Sequence, residues 1–245
     1  AYDEADNNPQ AYKTYGGSVK AVYDFGNISL TSITAYETTS GYSRGDTDGG
    51  AAASFPVNGV PNGFGQSMGQ VRDLDQWTQE VRLASMGDDR LSWQAGLFYF
   101  DGRDITDFYQ RGWFLQGAAR NPNNWVRLRN TNTSVAGFGQ LSYKATDQLT
   151  LTAGLRQTRD EKRTRLLKTA DTAAGAVTYR GRTDVEMSDT TPSWDLSAMY
   201  QINGQVGVYA KVARGFRGPT IQGRSAVFNA DFTTPDSETI LSWEA

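Results

Sequence analysis

Apolar and polar residues alternate with a period of two along much of this chain. Leu149, Leu151, Ala153 and Leu155 are interleaved with Thr150, Thr152, Gly154 and Arg156. Val206, Val208, Ala210 and Val212 are interleaved with Gly207, Tyr209, Lys211 and Ala213. The same holds for Leu91, Trp93, Ala95, Leu97 and Tyr99 against Ser92, Gln94, Gly96, Phe98 and Phe100. Trp77, Val81 and Leu83 alternate with Thr78, Glu80, Arg82 and Ala84, and Trp194, Leu196 and Ala198 with Ser193, Asp195 and Ser197. Successive side chains of a strand point to opposite faces, so this period predicts strands with one aliphatic face and one small, polar or charged face.

The links between these runs also alternate. Short ones occur at Phe25-Gly26-Asn27, Met86–Arg90, Ala145-Thr146-Asp147 and Ile202-Asn203-Gly204. Long polar ones occupy Ser43–Asp73, Gln110–Asn130, Lys168–Asp189 and Arg217–Ser237. Asn203-Gly204 predicts a type I′ hairpin turn, in which both central residues take positive φ. Asp147 and Gly87 are expected to serve the other short turns. Gly137 and Gly139, within one run, predict sheet curvature and close packing. Short turns at one end and long loops at the other are the wiring of an up-and-down membrane barrel. The predicted fold is therefore all-β, an antiparallel up-and-down meander forming part of a transmembrane β-barrel.

A soluble sandwich would alternate too, with its apolar face inward. Two features favour lipid. Trp77, Trp93, Tyr99, Tyr143, Trp194 and Tyr200 stand near the ends of apolar faces, where a headgroup belt lies. Glu80, Arg82, Arg156, Arg159, Asp195 and Lys211 would be unpaired charges in a dry core, whereas against a water-filled lumen they cost little.

Composition narrows the chemistry. The 245 residues are 38% hydrophobic and 12% aromatic, as suits a barrel with a wet interior and an aromatic girdle. The net charge of -3 argues against nucleic-acid binding. With no Cys and no His there is no disulfide, no thiolate, no Ser–His triad and no common zinc site. No catalytic residues, metal ligands or cofactor are expected, and the chain is not read as an enzyme. No run of about 18 apolar residues predicts a transmembrane helix.

At several places in order, the chain resembles a TonB-dependent outer-membrane receptor. Tyr23–Tyr36 is similar to an early barrel hairpin of that family, and Gln79–Ser85 with Trp93–Tyr99 to the next. Phe138-Gly139-Gln140 with Leu149–Arg156 resembles a mid-barrel hairpin, Val208–Arg217 the strand after it, and Ser237–Ala245 the start of the following one. The family places a plug inside a 22-stranded barrel. Residues 1–245 are expected to be an internal piece of such a barrel, roughly eight strands and part of a ninth, without plug or TonB-binding segment and truncated at both ends. The resemblance implies location in the bacterial outer membrane and energy-dependent uptake of a scarce ligand such as a siderophore, cobalamin or an oligosaccharide. The implied partners are outer-membrane lipid, a small-molecule ligand and the inner-membrane TonB-type energy complex, reached through parts absent from this chain. A passive porin-like channel, or a soluble β-rich carbohydrate-binding module or carboxylate glycosidase, are the competing readings.

The long loops are the candidate ligand-binding regions. Phe55, Phe64, Trp113, Phe114 and Trp125 lie there with Arg111 and Arg127, rings and guanidinium groups suited to a planar or anionic ligand. Loop packing or an outer girdle would use the same residues. Asp101, Asp104 and Asp107 invite a cation site but read more simply as solvated charges. The run Arg159–Arg165 reads as a solvated strand edge with cross-strand ion pairs, with contact to lipopolysaccharide phosphate as the sharper alternative.

Overall fold

The computed structural model describes residues 10–46, 66–87, 90–111, 123–171, 179–228 and 230–245. Nine strands account for most of them: β1 (Gln10–Asp24), β2 (Ile28–Asp46), β3 (Gln66–Ser85), β4 (Leu91–Arg111), β5 (Asn123–Lys144), β6 (Leu149–Asp171), β7 (Asp184–Asn203), β8 (Val206–Arg217) and β9 (Glu238–Glu244). They form one sheet in chain order, each strand antiparallel to the next. The expected meander is present. Among the described residues the only helix is a 3-10 turn, Gly223–Phe228, and β1 and β9 remain open edges.

The register carries the two faces across the sheet. Leu151 lies opposite Ala198 and Tyr143, and Ala198 opposite Ala210. Arg156, one residue out of phase with that set, lies opposite Phe138 and Ser193. We call these the outer and inner faces. Leu97 and Leu155 on the outer face are 67% and 59% exposed, so no second layer covers them. A sandwich would bury them. In β4 the outer apolar stretch runs from Leu91 to Tyr99, nine residues and about 27 Å of strand, the length of a tilted membrane span. Trp93, Tyr143 and Tyr200 mark its turn end, and Tyr36, Trp77 and Tyr99 its other end.

The strands are longer than alternation alone predicts. β3 and β5 begin at Gln66 and Asn123, well inside the segments Ser43–Asp73 and Gln110–Asn130 expected to be loops, while β4 and β6 end at Arg111 and Asp171, just past the start of theirs. Apolar period-two contrast fades above the outer apolar stretch. Cross-strand polar pairs take over there, among them Asn130 to Asp104 at 2.7 Å and Thr133 to Asp101 at 3.1 Å.

In this upper part the apolar side changes. Val126 and Leu128 of β5, on the inner face, are buried with Val185 of β7. The connection after β8 folds back over them, adding Ala226, Val227 and Phe232, with Phe108, Leu166 and Ile221 packed alongside. This strap is pinned at its base. Arg182 donates from its amide and its guanidinium to Asp231, at 2.8 and 2.9 Å, and Gln222 pairs with Thr233.

The short turns correct two details. Gly204 is not in the positive-φ region, which the described glycines occupy at Gly26 (φ 93°) and Gly87 (φ 105°). The Asn203 side-chain oxygen instead accepts from the amides of Gln205 and Val206, at 2.9 and 3.0 Å, an Asx turn that needs no left-handed residue. Thr146, rather than Asp147, serves the β5–β6 turn in the same way, accepting from Gln148 and Leu149. Close packing at glycine also lies elsewhere than expected. A Cβ at Gly137 or Gly139 would make ordinary contacts at 3.7 and 3.6 Å, whereas one at Gly96 would meet the Phe138 ring at 2.6 Å.

Candidate functional site

The inner face is built in rows, because opposed residues in neighbouring strands share a face. Gln94 donates to Gln140 at 2.9 Å, and Glu80 sits 3.6 Å from Arg82. One row further from the turns, Gly96 lacks a side chain and leaves room for Phe138. Arg156, opposite Phe138, extends its guanidinium over two rings, 5.1 Å from the centre of Phe98 and 5.9 Å from that of Phe138. Its Nε donates to Thr158 at 3.0 Å. Glu80, Arg82, Gln94, Gln140, Phe138 and Arg156 line an open trough of about 590 Å³ together with Asp195 and Lys211. Higher up, Arg224 of the strap sets its guanidinium over Phe108 of the wall, 3.9 Å from the ring centre. The inner wall thus carries guanidinium groups on aromatic platforms, an arrangement that holds flat anions.

The outer face above the apolar stretch is charged and internally paired. Asp107 is fully buried beneath Arg72 and Arg127, each 2.7 Å away. Arg72 is the extra residue of the irregularity between Val71 and Asp73, which is how its side chain reaches Asp107. Burial pushes the Asp107 carboxyl up, but hydrogen bonds from Arg127 and Arg72 outweigh it and hold it below the usual carboxylate range. Asp104, on the inner face, is raised by burial despite the Asn130 hydrogen bond. Asp184 receives Arg163 and Arg165, whose hydrogen bonds lower its pKa strongly. The Arg159–Arg165 run is therefore edged with ion pairs, Arg159 meeting Glu161 at 2.6 Å.

The expected ligand-binding residues divide. Phe55, Phe64, Trp113 and Phe114 lie outside the described residues. Arg111 closes the backbone of β4. Trp125 and Arg127 are brought together on β5: the Arg127 guanidinium lies 5.5 Å from the Trp125 ring, Lys168 caps the same ring at 5.5 Å, and Tyr109 stacks at 5.8 Å. They stand on the outer-face register, opposite Tyr109, Asp107 and Lys168. Asp101, Asp104 and Asp107 do not share a site. A spacing of three on a strand alternates faces, and each has its own partner, Thr133, Asn130 and the two arginines.

The aromatic–guanidinium pairs of the inner wall were not singled out by sequence. Their signal was present: Phe98, Phe100 and Phe138 are aromatics in the polar phase of their strands, where alternation alone calls for small or charged residues. Arg224 and Phe108, far apart in sequence, carried no such signal.

Solved barrels share this architecture. The chain matches the ferric yersiniabactin uptake receptor FyuA from Yersinia pestis with a TM-score of 0.70 at 16% identity, over 98% of this chain and 34% of that one. It matches the siderophore receptor PiuA from Acinetobacter baumannii with 0.62 at 13% identity, over 87% and 33%. For the ferric-catecholate import receptor Fiu from E. coli K12 the values are 0.54 and 14%, over 87% and 34%. The chain thus spans about a third of the length of each, and at these identities the likeness is one of fold. The model of the TonB dependent receptor-like β-barrel family matches residues 1–245, and the chain belongs to that family of outer-membrane receptors and transporters.

Proposed function

We propose that this chain is the substrate-lining wall of a receptor for energy-dependent uptake across the outer membrane, and that its ligand is an iron chelate of the siderophore kind. Cobalamin and oligosaccharides are the other ligand classes such barrels serve. The observation that carries this reading is the two-sided sheet: an uncovered apolar outer face for lipid and an inner face bearing guanidinium groups on rings. The ligands of the similar receptors, ferric yersiniabactin and ferric catecholate, support the choice of chelate. Phe55, Phe64, Arg111, Trp113, Phe114, Trp125 and Arg127 are proposed to contribute to capture at the mouth, and an inner-membrane TonB-type complex to supply the energy.

The test uses the intact receptor in cells. Uptake of ⁵⁵Fe-labelled chelates is measured with and without the receptor, and with a protonophore that removes the energy source. Receptor-dependent uptake abolished by the protonophore is the expected result. Uptake that persists without energy, together with steady conductance in planar bilayers, would instead make the protein a passive channel.

A further inference from the structure

We infer that Arg156, with Phe98 and Phe138, forms a second ligand subsite halfway down the inner wall, which takes an anionic planar group of the ligand after it has left the mouth. The inference rests on the uptake reading above and assigns a step within it.

Three observations place the subsite. First, the guanidinium is held over two rings, and its single hydrogen bond is from Nε to Thr158, so among the described residues its two terminal nitrogens have no acceptor. An arginine kept only for wall stability would be expected to meet a carboxylate, as Arg127, Arg163 and Arg182 do. Second, the floor is shaped for it. Gly96 lets the Phe138 ring lie against bare backbone, and Gly154 leaves the space into which Asp195 reaches. Third, Arg156 and Phe138 open onto a trough of about 590 Å³, in the size range of small-molecule sites, whose lining is largely polar and holds three further cations, Arg82, Lys211 and Arg214, beside the carboxylates Glu80 and Asp195.

Position supplies the role. Phe98 adjoins Tyr99, so the subsite lies level with the upper edge of the outer apolar stretch, partway along β4. Phe108, the platform for Arg224, is ten residues further along β4, about 33 Å of strand. The same strand therefore offers two guanidinium-on-ring stations on its inner face, one at the strap and one in the middle. A ligand bearing carboxylate or phenolate oxygens on a flat frame finds the same chemistry at both, planar donors for its oxygens and a π face for its ring.

The experiment compares two probes in cells carrying the intact receptor: a ferric tris-catecholate, which is anionic, and a neutral ferric tris-hydroxamate. Binding to de-energised cells reads capture, and accumulation in energised cells reads transport. For Arg156→Gln we expect tris-catecholate capture within about twofold of the parent and energised accumulation down about tenfold, the scale of one lost charge-assisted hydrogen bond. Tris-hydroxamate accumulation should change less than about twofold, and Arg156→Lys, which keeps the charge but not the fork, should recover part of the loss. Equal accumulation by parent and Arg156→Gln would overturn the subsite while leaving the uptake reading intact. Accumulation of neither probe by the parent would overturn the uptake reading and the subsite with it. An equal loss for both probes, with new sensitivity of the cells to a large antibiotic such as vancomycin, would assign Arg156 to holding a protein segment in the lumen and overturn the subsite.

Discussion

The lower and upper halves of the sheet are made by the same strands with opposite polarity. Along β5, the lower half puts Leu141 and Val135 outside and Phe138 beside Arg156 inside. Seven to nine residues further, Val126 and Leu128 are inside and buried, while Arg127 and Arg129 are outside. The backbone does not change; the surroundings do. Below, lipid wets the outer face and water the inner one. Above, water reaches the outer face and the strap covers part of the inner one. The apolar side of a strand is thus set residue by residue by what it meets, and one strand can serve two solvents in succession.

Substitutions that carry the same change to both halves test this inversion, with urea titration of the intact receptor in lipid as the readout. Val126→Asp buries an unpaired carboxylate in the strap cluster and should cost about 3–5 kcal/mol. Thr131→Asp, on the exposed outer face of the same strand, should cost less than about 0.5 kcal/mol. In the lower half the sensitive face reverses. Leu97→Arg, facing lipid, should cost about 2–4 kcal/mol, and Ser142→Arg, facing the lumen, far less. Equal costs for the two members of either pair would break the comparison.

Asp107→Ala should cost about 2 kcal/mol. It leaves two arginines without their shared acceptor, and because both are partly exposed the loss falls below that of a wholly buried pair. Protease resistance of the upper half is the measurement, and the lower half should keep its own resistance.

Acid separates the halves without mutation. Asp107, Asp184 and Asp231 all sit below the usual carboxylate range, so the unfolded chain takes up their protons first. Their contribution is complete above the unfolded value of about 4 and is lost as pH falls from there through the lower folded values. The protease resistance of the upper half should therefore fall between about pH 4 and 2, ahead of the lower half, whose outer apolar stretch holds no carboxylate on β4–β8. The smallest effect concerns the β7–β8 turn. Asn203→Ala should cost about 1 kcal/mol for the two amides it leaves unpaired, while Gly204→Ala should be within about 0.5 kcal/mol of the parent.

The lower half was the legible one. Period two found Leu149–Leu155 and Val206–Val212 because lipid on one side and water on the other enforce contrast at every step. The upper half is legible in part: the runs already reach Tyr109 and Leu167, but the first eight residues of β5, Asn123–Asn130, fall in a segment read as loop, since residues such as Asn130 show no hydropathy contrast and are held by pairing across strands. Val126 and Leu128 lay in a segment read as loop, because their partners, Val227 and Phe232, are about a hundred residues away. The turn at Asn203 was placed correctly and built differently, since Asn offers both a left-handed backbone and an acceptor side chain, and sequence does not say which is used. Of the site, Trp125 and Arg127 are two of the seven loop candidates and stand together on strand β5, whereas the Arg156 and Arg224 stations depend on which residues the fold brings together.

The strap has a kinetic meaning. Each strand pairing joins chain neighbours, so the sheet can grow hairpin by hairpin, and even its longer loops add little to the closure cost. The strap follows β8 yet rests on β4, β5 and β6, and is pinned to Arg182, 49 residues before Asp231. It has no seat until those strands are in register, and its removal need not disturb any of their backbone pairing. It settles only after β4, β5 and β6 have paired, and its release exposes Val126 and Leu128 while the backbone ladder around them stays intact.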